Sequence, residues 1–397
     1  MKIGMILDTT FPPDPRVENE ALKLIESGHE VHLFCFSFTK DFKLKENING
    51  IHVYRFFCNN FTYKLSALAY TFPFYHNRMK IPLKKFIFES AVDIIHVHDL
   101  QIARAVFKIK CNKRIVLDLH ENRPEIMKFY AHVNSLFGKF LIRPSRWKKF
   151  EFKYIKEADK VIVVTEAAKN YYCDQLEVEK NKFIVLPNTV RREFFTNYSV
   201  SQTIQNKYIG TFNILYVGDT GLRRGTMDLI KAIEIISHKI SNVRLIIVGK
   251  SKEDHYLAQA VNDLSLKNNV ELVGWQDFEL FPSYFKSAHI GVSPLHKNIH
   301  HDTTYANKLF QYMAFALPVV VSDSTAQRNL VESTHSGLVH REKNISDLAN
   351  QIMKLYNDKE LYKSCSRNAK IAIEEKYNWD ITSKELTSFY NDVSLSF

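Results

Sequence analysis

A strand, a glycine-rich turn, a helix and a second strand follow one another in residues 213–248, which read NILYVGDTGLRRGTMDLIKAIEIISHKISNVRLIIV. The apolar runs at Asn213–Val217 and Val243–Val248 are typical of buried strands, and Thr226–Ser237 repeats its apolar residues at the spacing of a helix face. Gly218–Gly225 separates the first strand from the helix. A strand, a helix and a parallel strand in this order form the basic unit of an α/β fold.

The same alternation extends outward in both directions. The C-terminal half is predicted to hold strands at Val270–Val273, His289–Val292 and Pro318–Ser322, and helices at Leu309–Phe315, Ile345–Asn357 and Lys359–Lys376. The N-terminal half is predicted to hold a helix at Val17–Ser27, ended by Gly28, and strands at Lys2–Leu7, Val31–Phe36, Ile94–Val97, Arg114–Leu119, Lys160–Val164 and Lys182–Leu186. We therefore expect an α/β protein with parallel sheets covered by helices on both faces.

A proline and a polar run, SVSQTIQNKYIG, interrupt this pattern between the two halves. We expect one Rossmann-like domain in residues 1–190, a linker in residues 191–210 and a second Rossmann-like domain in residues 211–376. Two such domains that face each other leave an interdomain cleft, which is a preferred place for a ligand.

Charge is concentrated in one part of the chain. The formal net charge of the 397 residues is +11, and residues 61–149 alone hold 17 basic and 6 acidic residues. A surface this basic favours an anionic partner. Residues 61–90 and 128–156 interleave aromatic and basic side chains, which indicates either a membrane interface or lysine stems that cover the edge of a core.

Several classes of protein are not expected. The sequence has no helix-turn-helix, zinc-finger or RNP-like motif, so no nucleic-acid partner is predicted. The five cysteines are isolated and fit a reducing compartment, and no metal-ligand spacing is present. The first apolar run is too short for a signal peptide, and no run reaches about 18 residues. We expect a cytoplasmic protein that is peripheral on the inner face of the plasma membrane if the basic segments bind lipid.

Two predicted strands of the N-terminal half end in histidine, in the stretches DIIHVHD and LDLHE. His98, Asp99, His120 and Glu121 are therefore expected at one carboxyl edge of the sheet. A histidine there can donate a hydrogen bond to a developing negative charge, although such residues are often structural. Metal binding by His96, His98 and His120 is less favoured, because strand alternation puts His96 with His98 on one face without a third fixed ligand.

The loop TTFPPDPR follows the first strand, where ligands of open α/β sheets bind. Arg16 in this loop either reaches a phosphate or remains exposed at the helix start. The chain contains neither GxGxxG nor GxxxxGK[ST], which argues against a dinucleotide oxidoreductase and a P-loop NTPase.

The turn GDTGLRRG opens a helix and is predicted to bind an anion. Its glycines, Gly218 and Gly221, leave backbone N–H groups and the helix dipole open to a phosphate. Arg223 and Arg224 add guanidinium donors. Lys308 also stands at the start of a predicted helix, so the second half is expected to bind a diphosphate.

These stretches carry a family resemblance. The contributing segments are PPDPRVENEALKLIESGHEV, DIIHVHD, LDLHE, VIVVTE, VLPNTV, ILYVGDTGLRRGTMDLIKAI, LIIVGK, NNVELVGW and ANKLFQYMAFALPVVVSD. Their order and spacing resemble the GT-B-fold glycosyltransferases, in particular the retaining family 4 (group 1) enzymes that use nucleoside-diphosphate sugars. The resemblance implies an acceptor-binding N-terminal domain, a nucleotide-sugar-binding C-terminal domain, and a helix in residues 377–397 that crosses back to the N-terminal domain.

The resemblance also implies roles for individual residues. Arg224 and Lys308 would neutralise the donor diphosphate, and His120 would hydrogen-bond the transferred sugar. The other donor-binding residues would be Gly218, Gly221, Arg223, Gly274, Trp275, Asn307, Leu309 and Gln311. The acceptor side would hold Arg16, His98, Asp99 and Glu121. No metal or cofactor is implied, and the donor would be a UDP- or GDP-linked sugar.

The expected function is sugar transfer, with retention of the anomeric configuration, to a saccharide or lipid-linked saccharide of an envelope or exopolysaccharide glycan. Thr303 and Gln311 occupy the positions where the family motif has two carboxylates. A nucleotide-sugar-binding subunit without turnover and a sugar-nucleotide 2-epimerase on the same fold therefore remain as alternatives.

Overall fold

The computed structural model describes residues 1–109 and 111–395. The chain divides into two compact units. The first contains Met1–Pro187 and the segment that begins at Ser383, and the second contains Asn188–Thr382. The chain therefore leaves the first unit, forms the second, and returns to the first.

The sheet of the first unit confirms the predicted parallel α/β architecture. Its strands are β1 (Lys2–Thr10), β2 (Glu30–Ser37), β3 (Lys45–Ile48), β4 (Ile51–Phe57), β5 (Ile94–His98), β6 (Arg114–Leu119), β7 (Lys160–Val163) and β8 (Phe183–Val185). Their order is β3-β4-β2-β1-β5-β6-β7-β8. Among the described strand pairs of this sheet, β3 and β4 are antiparallel and the others are parallel. The central strands are buried along most of their length, which explains their continuous apolar sequence.

Helices connect and cover these strands. They are α1 (Pro15–Glu26), α2 (Asn60–Leu65), α3 (Phe74–Ser90), α4 (Leu100–Phe107), α5 (Arg123–Met127), α6 (Ala131–Asn134), α7 (Leu136–Leu141), α8 (Pro144–Glu157) and α9 (Glu166–Leu176). The start of α1 shows why such a helix forms, because Asp14 accepts a hydrogen bond from the N–H of Val17 and Pro15 occupies the first turn. Gly28 follows its end with a φ of +86°, as predicted for that glycine.

The second unit is also a parallel α/β structure. Its strands are β9 (Phe212–Val217), β10 (Val243–Val248), β11 (Val270–Gly274), β12 (Ile290–Ser293), β13 (Val319–Ser322) and β14 (Gly337–His340). They form a sheet in the order β11-β10-β9-β12-β13-β14. Each described pair in it is parallel. β9 therefore lies inside the sheet, and its carboxyl end meets those of β10 and β12.

The helices of the second unit include those predicted from sequence. They are α10 (Glu193–Thr196), α11 (Gln202–Lys207), α12 (Thr226–Ser237), α13 (Asp254–Asp263), α14 (Phe281–Ser287), α15 (Ile299–Thr303), α16 (Lys308–Ala314), α17 (Thr325–Thr334), α18 (Ile345–Asn357), α19 (Lys359–Glu375) and α20 (Trp379–Thr382). The predicted bounds of α12 and α18 agree with the structure. A further helix, α21 (Lys384–Ser394), belongs to the first unit.

Residues 191–210 do not form the expected linker. They contain α10 and α11 and belong to the second unit. Phe194 on α10 packs with its ring centroid 6.1 Å from that of Phe285 and 5.6 Å from that of Phe315. A proline and the polar run after residue 198 predict a linker, but the aromatic side chain of Phe194 anchors this segment to the second unit. Similarly, α20 remains with the second unit, and only the chain from Ser383 onward returns to the first.

Three strands, β3, β4 and β14, are absent from the sequence-based prediction. β3 and β4 form a hairpin around Asn49 and Gly50, whose φ angles are +52° and +90°. β14 has only four residues and lies at the edge of its sheet. No helix in the described part of the chain is long and apolar enough to span a bilayer.

Candidate active site

A glycine-rich turn joins β9 to α12 in the second unit. It contains a short 3₁₀-helix at Leu222–Arg224, and Gly225 then opens α12 with a φ of +76°. A Cβ atom on Gly225 would lie 1.8 Å from the carbonyl oxygen of Pro294, so only glycine allows these two backbone segments to approach. The turn presents Arg223 and Arg224 beyond the carboxyl end of β9, and we call these two residues the arginine pair.

The arginine pair is held by the same two acceptor atoms. Nη2 of Arg223 and Nε of Arg224 lie 3.3 and 3.1 Å from Oδ2 of Asp219. Nη1 of Arg223 and Nη1 of Arg224 lie 3.2 and 3.4 Å from Nε2 of His301. Burial opposes ionisation of Asp219, but Arg224 lowers the pKa of that carboxyl. Because two guanidiniums share this one carboxylate, the arginine pair and Asp219 together carry a net positive charge.

Lys308 adds a third basic group. It is the first residue of α16, and its Nζ lies 3.5 Å from the ring centroid of Tyr216 on β9. Burial, and then the charge of Arg224, lower the pKa of Lys308. The structure thus brings Lys308 within electrostatic reach of the arginine pair. Gly218 borders the same ammonium group, and its φ of +117° favours glycine.

The N–H groups of the two predicted glycines, Gly218 and Gly221, are already used as hydrogen-bond donors within the protein. Gly218 donates its N–H to the carbonyl of Val248 at 2.9 Å. Gly221 donates to Oδ1 of Asp219 at 3.1 Å, and the next amide donates to Oε2 of Glu253 at 2.7 Å. Because these N–H groups are already used, the two glycines contribute backbone conformation, and the side-chain cations remain to meet an anion.

α16 presents only part of the set predicted to contact the donor. Asn307 is exposed, and Gln311 lies one turn further along and is half-buried. Leu309 is fully buried in the core, and its N–H donates to the carbonyl of Ala306 at 2.9 Å. The predicted donor contact of Leu309 is therefore wrong for both its side chain and its N–H, because the apolar face of the amphipathic helix points inward.

A cavity of about 330 Å³ lies at the carboxyl ends of β10 and β11. Gly274, predicted to lie near the base, lines it together with Thr220 and Asp254. Apolar walls come from Ile247, Leu257, Ala258 and Leu272. Trp275 is not part of this lining, and its side chain is 60% exposed, so the structure does not place it in the cavity.

The two histidine-ended strands, β5 and β6, run side by side in the first unit. His98 is fully buried, and its Nδ1 lies 3.1 Å from Nε2 of His120. Oδ2 of the buried Asp118 lies 3.1 Å from Nε2 of His120 and 3.3 Å from Nδ1 of His98. The strands bring the two histidines together as predicted. His98 is fully buried, however, so it contacts His120 and is not accessible to an acceptor.

The other nitrogen of His120, Nδ1, lies 3.7 Å from Oδ2 of Asp99. Burial alone would lower the pKa of His120, but Asp99 and Asp118 raise this pKa to about 9. The ring is therefore positively charged at neutral pH and can donate a hydrogen bond from Nδ1 to a bound group. Asp99 has a φ of +62°, a rare conformation outside glycine that concentrates at functional sites.

Arg16 lies in the interior of the first unit, contrary to both expectations for it. Its Nε and Nη2 lie 3.1 and 2.8 Å from the two carboxylate oxygens of Asp118. Nη1 donates to the carbonyl of Leu186, and Nε lies 3.0 Å from Glu20. Burial raises the pKa of Asp118, but Arg16 and His120 together lower it well below its usual range. Arg16 thus neutralises buried carboxylates and does not reach a phosphate.

Glu20, His96, His98 and Asp118 hold potential ligand atoms within 4.8 Å of one another. This donor set does not fit a divalent cation, because the guanidinium of Arg16 already supplies the positive charge between the carboxylates. We call these four residues, together with Arg16 and His120, the buried network. The remaining acceptor-side candidate, Glu121, lies outside it and accepts a hydrogen bond from Nη1 of Arg123 at 2.8 Å.

Sequence reasoning missed three partners of these sites. Asp118 stands in the stretch LDLHE, and strand alternation places its side chain on the same face as His120, so a signal for it was present. Asp219 stands four and five residues before the arginine pair in the same turn, so a local signal for it was present as well. His301 gave no such signal. His301 lies more than 70 residues along the chain from Arg224, and only the tertiary structure joins them.

Two family models match the chain. The model described as Glycosyl transferases group 1 matches residues 201–372, and the model described as Glycosyltransferase Family 4 matches residues 16–194. Together they take in most of both units. The boundary between the two matches, at residues 194–201, falls just after the boundary between the units.

Individual relatives are distant but match over long stretches. The uncharacterized glycosyltransferase MJ1607 of Methanocaldococcus jannaschii is 24% identical over 98% of both chains. The capsular polysaccharide biosynthesis glycosyltransferase CapM of Staphylococcus aureus is 23% identical over 75% of this chain and 85% of its own. Among solved structures, Anabaena Alr3699/HepE in complex with UDP matches with a TM-score of 0.70 and 16% identity, over 99% of this chain and 100% of that chain.

Proposed function

Because the chain belongs to the group 1/family 4 glycosyltransferases and has their GT-B fold, we propose that it transfers a sugar from a nucleoside-diphosphate donor to a saccharide or lipid-linked saccharide with retention of the anomeric configuration. The second unit binds the donor, and the first unit binds the acceptor and the transferred sugar. The glycan belongs to a cell envelope or exopolysaccharide, a proposal supported by the similarity to CapM, a capsular polysaccharide biosynthesis glycosyltransferase.

The observation that carries this proposal is the cluster of three basic groups at one sheet edge. The arginine pair and Lys308 lie at the carboxyl end of β9, next to the strands whose ends form the cavity. When the bond to the sugar breaks, negative charge develops on the departing diphosphate. Fixed cations in a partly buried site stabilise that charge without having to reorganise during the reaction. The cavity beside them then holds the nucleoside, in accord with the UDP present in the Anabaena structure.

His120 acts on the transferred sugar in this proposal. Its Nε2 is engaged by Asp118 and His98, so the ring is fixed and charged before substrate arrives. Nδ1 is the nitrogen left to donate to a sugar oxygen. Catalysis is then mainly electrostatic and positional, since these residues hold the reacting groups and compensate charge but form no covalent bond.

A ligand screen tests the proposal directly. We expect UDP or GDP to raise the melting temperature, and UMP or GMP to raise it much less, because the basic cluster is matched to a diphosphate. A ligand at about 100 times its Kd stabilises the native state by about 2.7 kcal/mol. With the matching nucleotide sugar and a saccharide acceptor, NMR of the product should show the anomeric configuration of the donor.

Three results of the ligand screen and the product assay would each contradict the proposal. Inversion at the anomeric carbon would overturn retention. Conversion of the nucleotide sugar without an acceptor would indicate a 2-epimerase. Tight diphosphate binding without turnover on any glycan acceptor would indicate a binding subunit.

We also propose that the first unit contacts an anionic lipid surface through α3. Phe74, Ile81 and Phe88 recur every seven residues on this helix and are 62%, 77% and 86% exposed. Lys84 and Lys85 lie exposed on the same stretch, while the opposite side of the helix is buried in the core. Exposed apolar rings beside lysines match the boundary between acyl chains and anionic headgroups.

Sedimentation with vesicles tests this surface. Replacing Phe74, Ile81 and Phe88 by serine should reduce binding to vesicles of phosphatidylglycerol and phosphatidylcholine by about tenfold or more, because burial of these side chains in the interface is lost. Ile209→Ser, which removes a 74% exposed apolar residue from the second unit, is the matched control and should leave binding unchanged. Equal binding of the triple variant and the unchanged protein would contradict a role for α3.

A further inference from the structure

His301 is a buried residue that the expected chemistry of the site does not use. It lies on α15, preceded by the helix cap Asn298, and is 1% exposed. Its Nδ1 lies 2.7 Å from the carbonyl oxygen of His296. A carbonyl oxygen can only accept a hydrogen bond, so Nδ1 must carry the proton. The other ring nitrogen, Nε2, is then left with a lone pair.

That lone pair faces the arginine pair. Nη1 of Arg223 lies 3.2 Å from Nε2, and Nη1 of Arg224 lies 3.4 Å from it. A guanidinium can only donate, so Nε2 is the acceptor for both. The ring is therefore neutral in this arrangement, since a second proton on Nε2 would point at two cations. Burial, followed by the nearby charges of both arginines and Lys308, agrees with this by lowering the pKa of His301 to about 3.

The two acceptors of the arginine pair differ in their surroundings. The side chain of Asp219 is 41% exposed and stands where a phosphate could displace it. His301 is enclosed and fixed on its other side, because Nδ1–H donates to the His296 carbonyl and the backbone N–H of His301 donates to Oδ1 of Asn298 at 3.0 Å. His301 is thus the acceptor that can stay in place when an anion approaches the arginines.

We propose that His301 is a positioning residue for the donor: as a neutral acceptor, it aligns both guanidiniums so that they bind one diphosphate together. The inference rests on the proposed function, because it assumes that the arginine pair meets the donor diphosphate. It assigns His301 no contact with substrate and no proton transfer. What His301 supplies is the orientation of two flexible side chains before the ligand arrives, which reduces the entropy lost on binding.

Two substitutions separate the two hydrogen bonds of the ring. In His301→Gln, Oε1 stands as many bonds from Cβ as Nε2 does, so an acceptor for the arginines is kept. In His301→Asn, Nδ2 stands as many bonds from Cβ as Nδ1 does in histidine, so the hydrogen bond to the His296 carbonyl can be kept. No atom of asparagine reaches the position of Nε2, so the acceptor for the arginines is lost. Both replacements are polar, uncharged and smaller than histidine.

Calorimetric titration with UDP and with uridine tests the proposal. We expect His301→Asn to weaken UDP binding about tenfold or more, and His301→Gln to stay within about threefold of the unchanged protein. Uridine has no phosphate, so both variants should bind it as the unchanged protein does, which also shows that the site is folded. If the unchanged protein bound no nucleoside diphosphate, the proposed function would fail; equal UDP affinities of the two variants would instead overturn the role of His301.

A measurement on the unchanged protein is independent of how the variants fold. With ¹⁵N-labelled histidine, NMR should show His301 protonated on Nδ1 and unprotonated on Nε2 at pH 6. A proton on Nε2 at that pH, in either the neutral or the charged ring, would overturn the proposal.

Discussion

Sugar transfer is expected to fall by about 10²–10³-fold in each of the variants Arg224→Ala and Lys308→Ala. In the proposed function both residues meet the donor diphosphate at the carboxyl end of β9, and its negative charge offsets the burial and the Arg224 charge that lower the pKa of Lys308. The charge that they compensate grows as the diphosphate departs, so they stabilise the transition state more than the bound donor. The loss should therefore appear in kcat as well as in kcat/KM.

The measurement is initial-rate kinetics with the nucleotide sugar that the ligand screen identifies. Lys297→Ala is the matched control, because Lys297 is an exposed lysine of the same unit and should retain full activity. The double variant should lose less than the product of the two single losses, because both side chains act on one leaving group. Full activity in either single variant would remove that residue from the site.

The variant His120→Asn should lose about 10²–10³-fold in kcat while its affinity for the nucleoside diphosphate stays unchanged. Asparagine can still donate one hydrogen bond, but it lacks the positive charge that Asp99 and Asp118 maintain on the imidazole. His132→Asn is the control, because His132 is an exposed histidine of the same unit. A fall in UDP affinity equal to the fall in kcat would show that His120 contributes to binding of the nucleoside diphosphate. It would contradict the proposed role of His120 in transfer of the sugar.

The same residue predicts a pH dependence. The pKa of His120 is raised from 6.5 to about 9 in the folded protein, so activity that needs the charged ring should be complete at pH 7 and should decline as the pH rises through about 9. The same shift stabilises the folded state fully below pH 6.5, and this contribution is lost as the pH rises through about 9. In the His120→Asn variant the alkaline decline should disappear from the residual rate.

Central parallel strands such as β1, β5 and β9 could be predicted from sequence because they are buried along most of their length and read as continuous apolar runs. The hairpin of β3 and β4 lies at the edge of its sheet and lacks such a run. Its turn nevertheless carries a signal, since Asn49-Gly50 is the dipeptide that suits two successive positive φ angles. Apolar runs thus predicted the strands of the core. They missed the β3–β4 hairpin, whose clearest sequence signal is the Asn49-Gly50 turn.

The sequence predicted the position of the candidate site residues better in the second unit than in the first. Arg224 and Lys308 could be named because each stands at the start of a helix in a stretch that resembles the family. Arg16 could not be placed correctly, because its partner Asp118 is 102 residues away in the chain and nothing local shows that the two share one interior. His301 was missed for the same reason, since 78 and 77 residues separate it from Arg223 and Arg224, whereas Asp219 is only four and five residues from them.

The position of Tyr390 near the end of the chain has a consequence for the order in which the two units fold during translation. Its hydroxyl lies 2.9 Å from Nδ1 of His96 in the interior of the first unit, yet it is carried by α21, beyond the whole of the second unit. Domains generally fold as they emerge from the ribosome. Here the strands of the first sheet are synthesised early, while the partner of His96 is synthesised only after Thr382. We therefore expect a nascent chain to complete the second unit before the first, because the partner of His96 becomes available only after α21 has been translated.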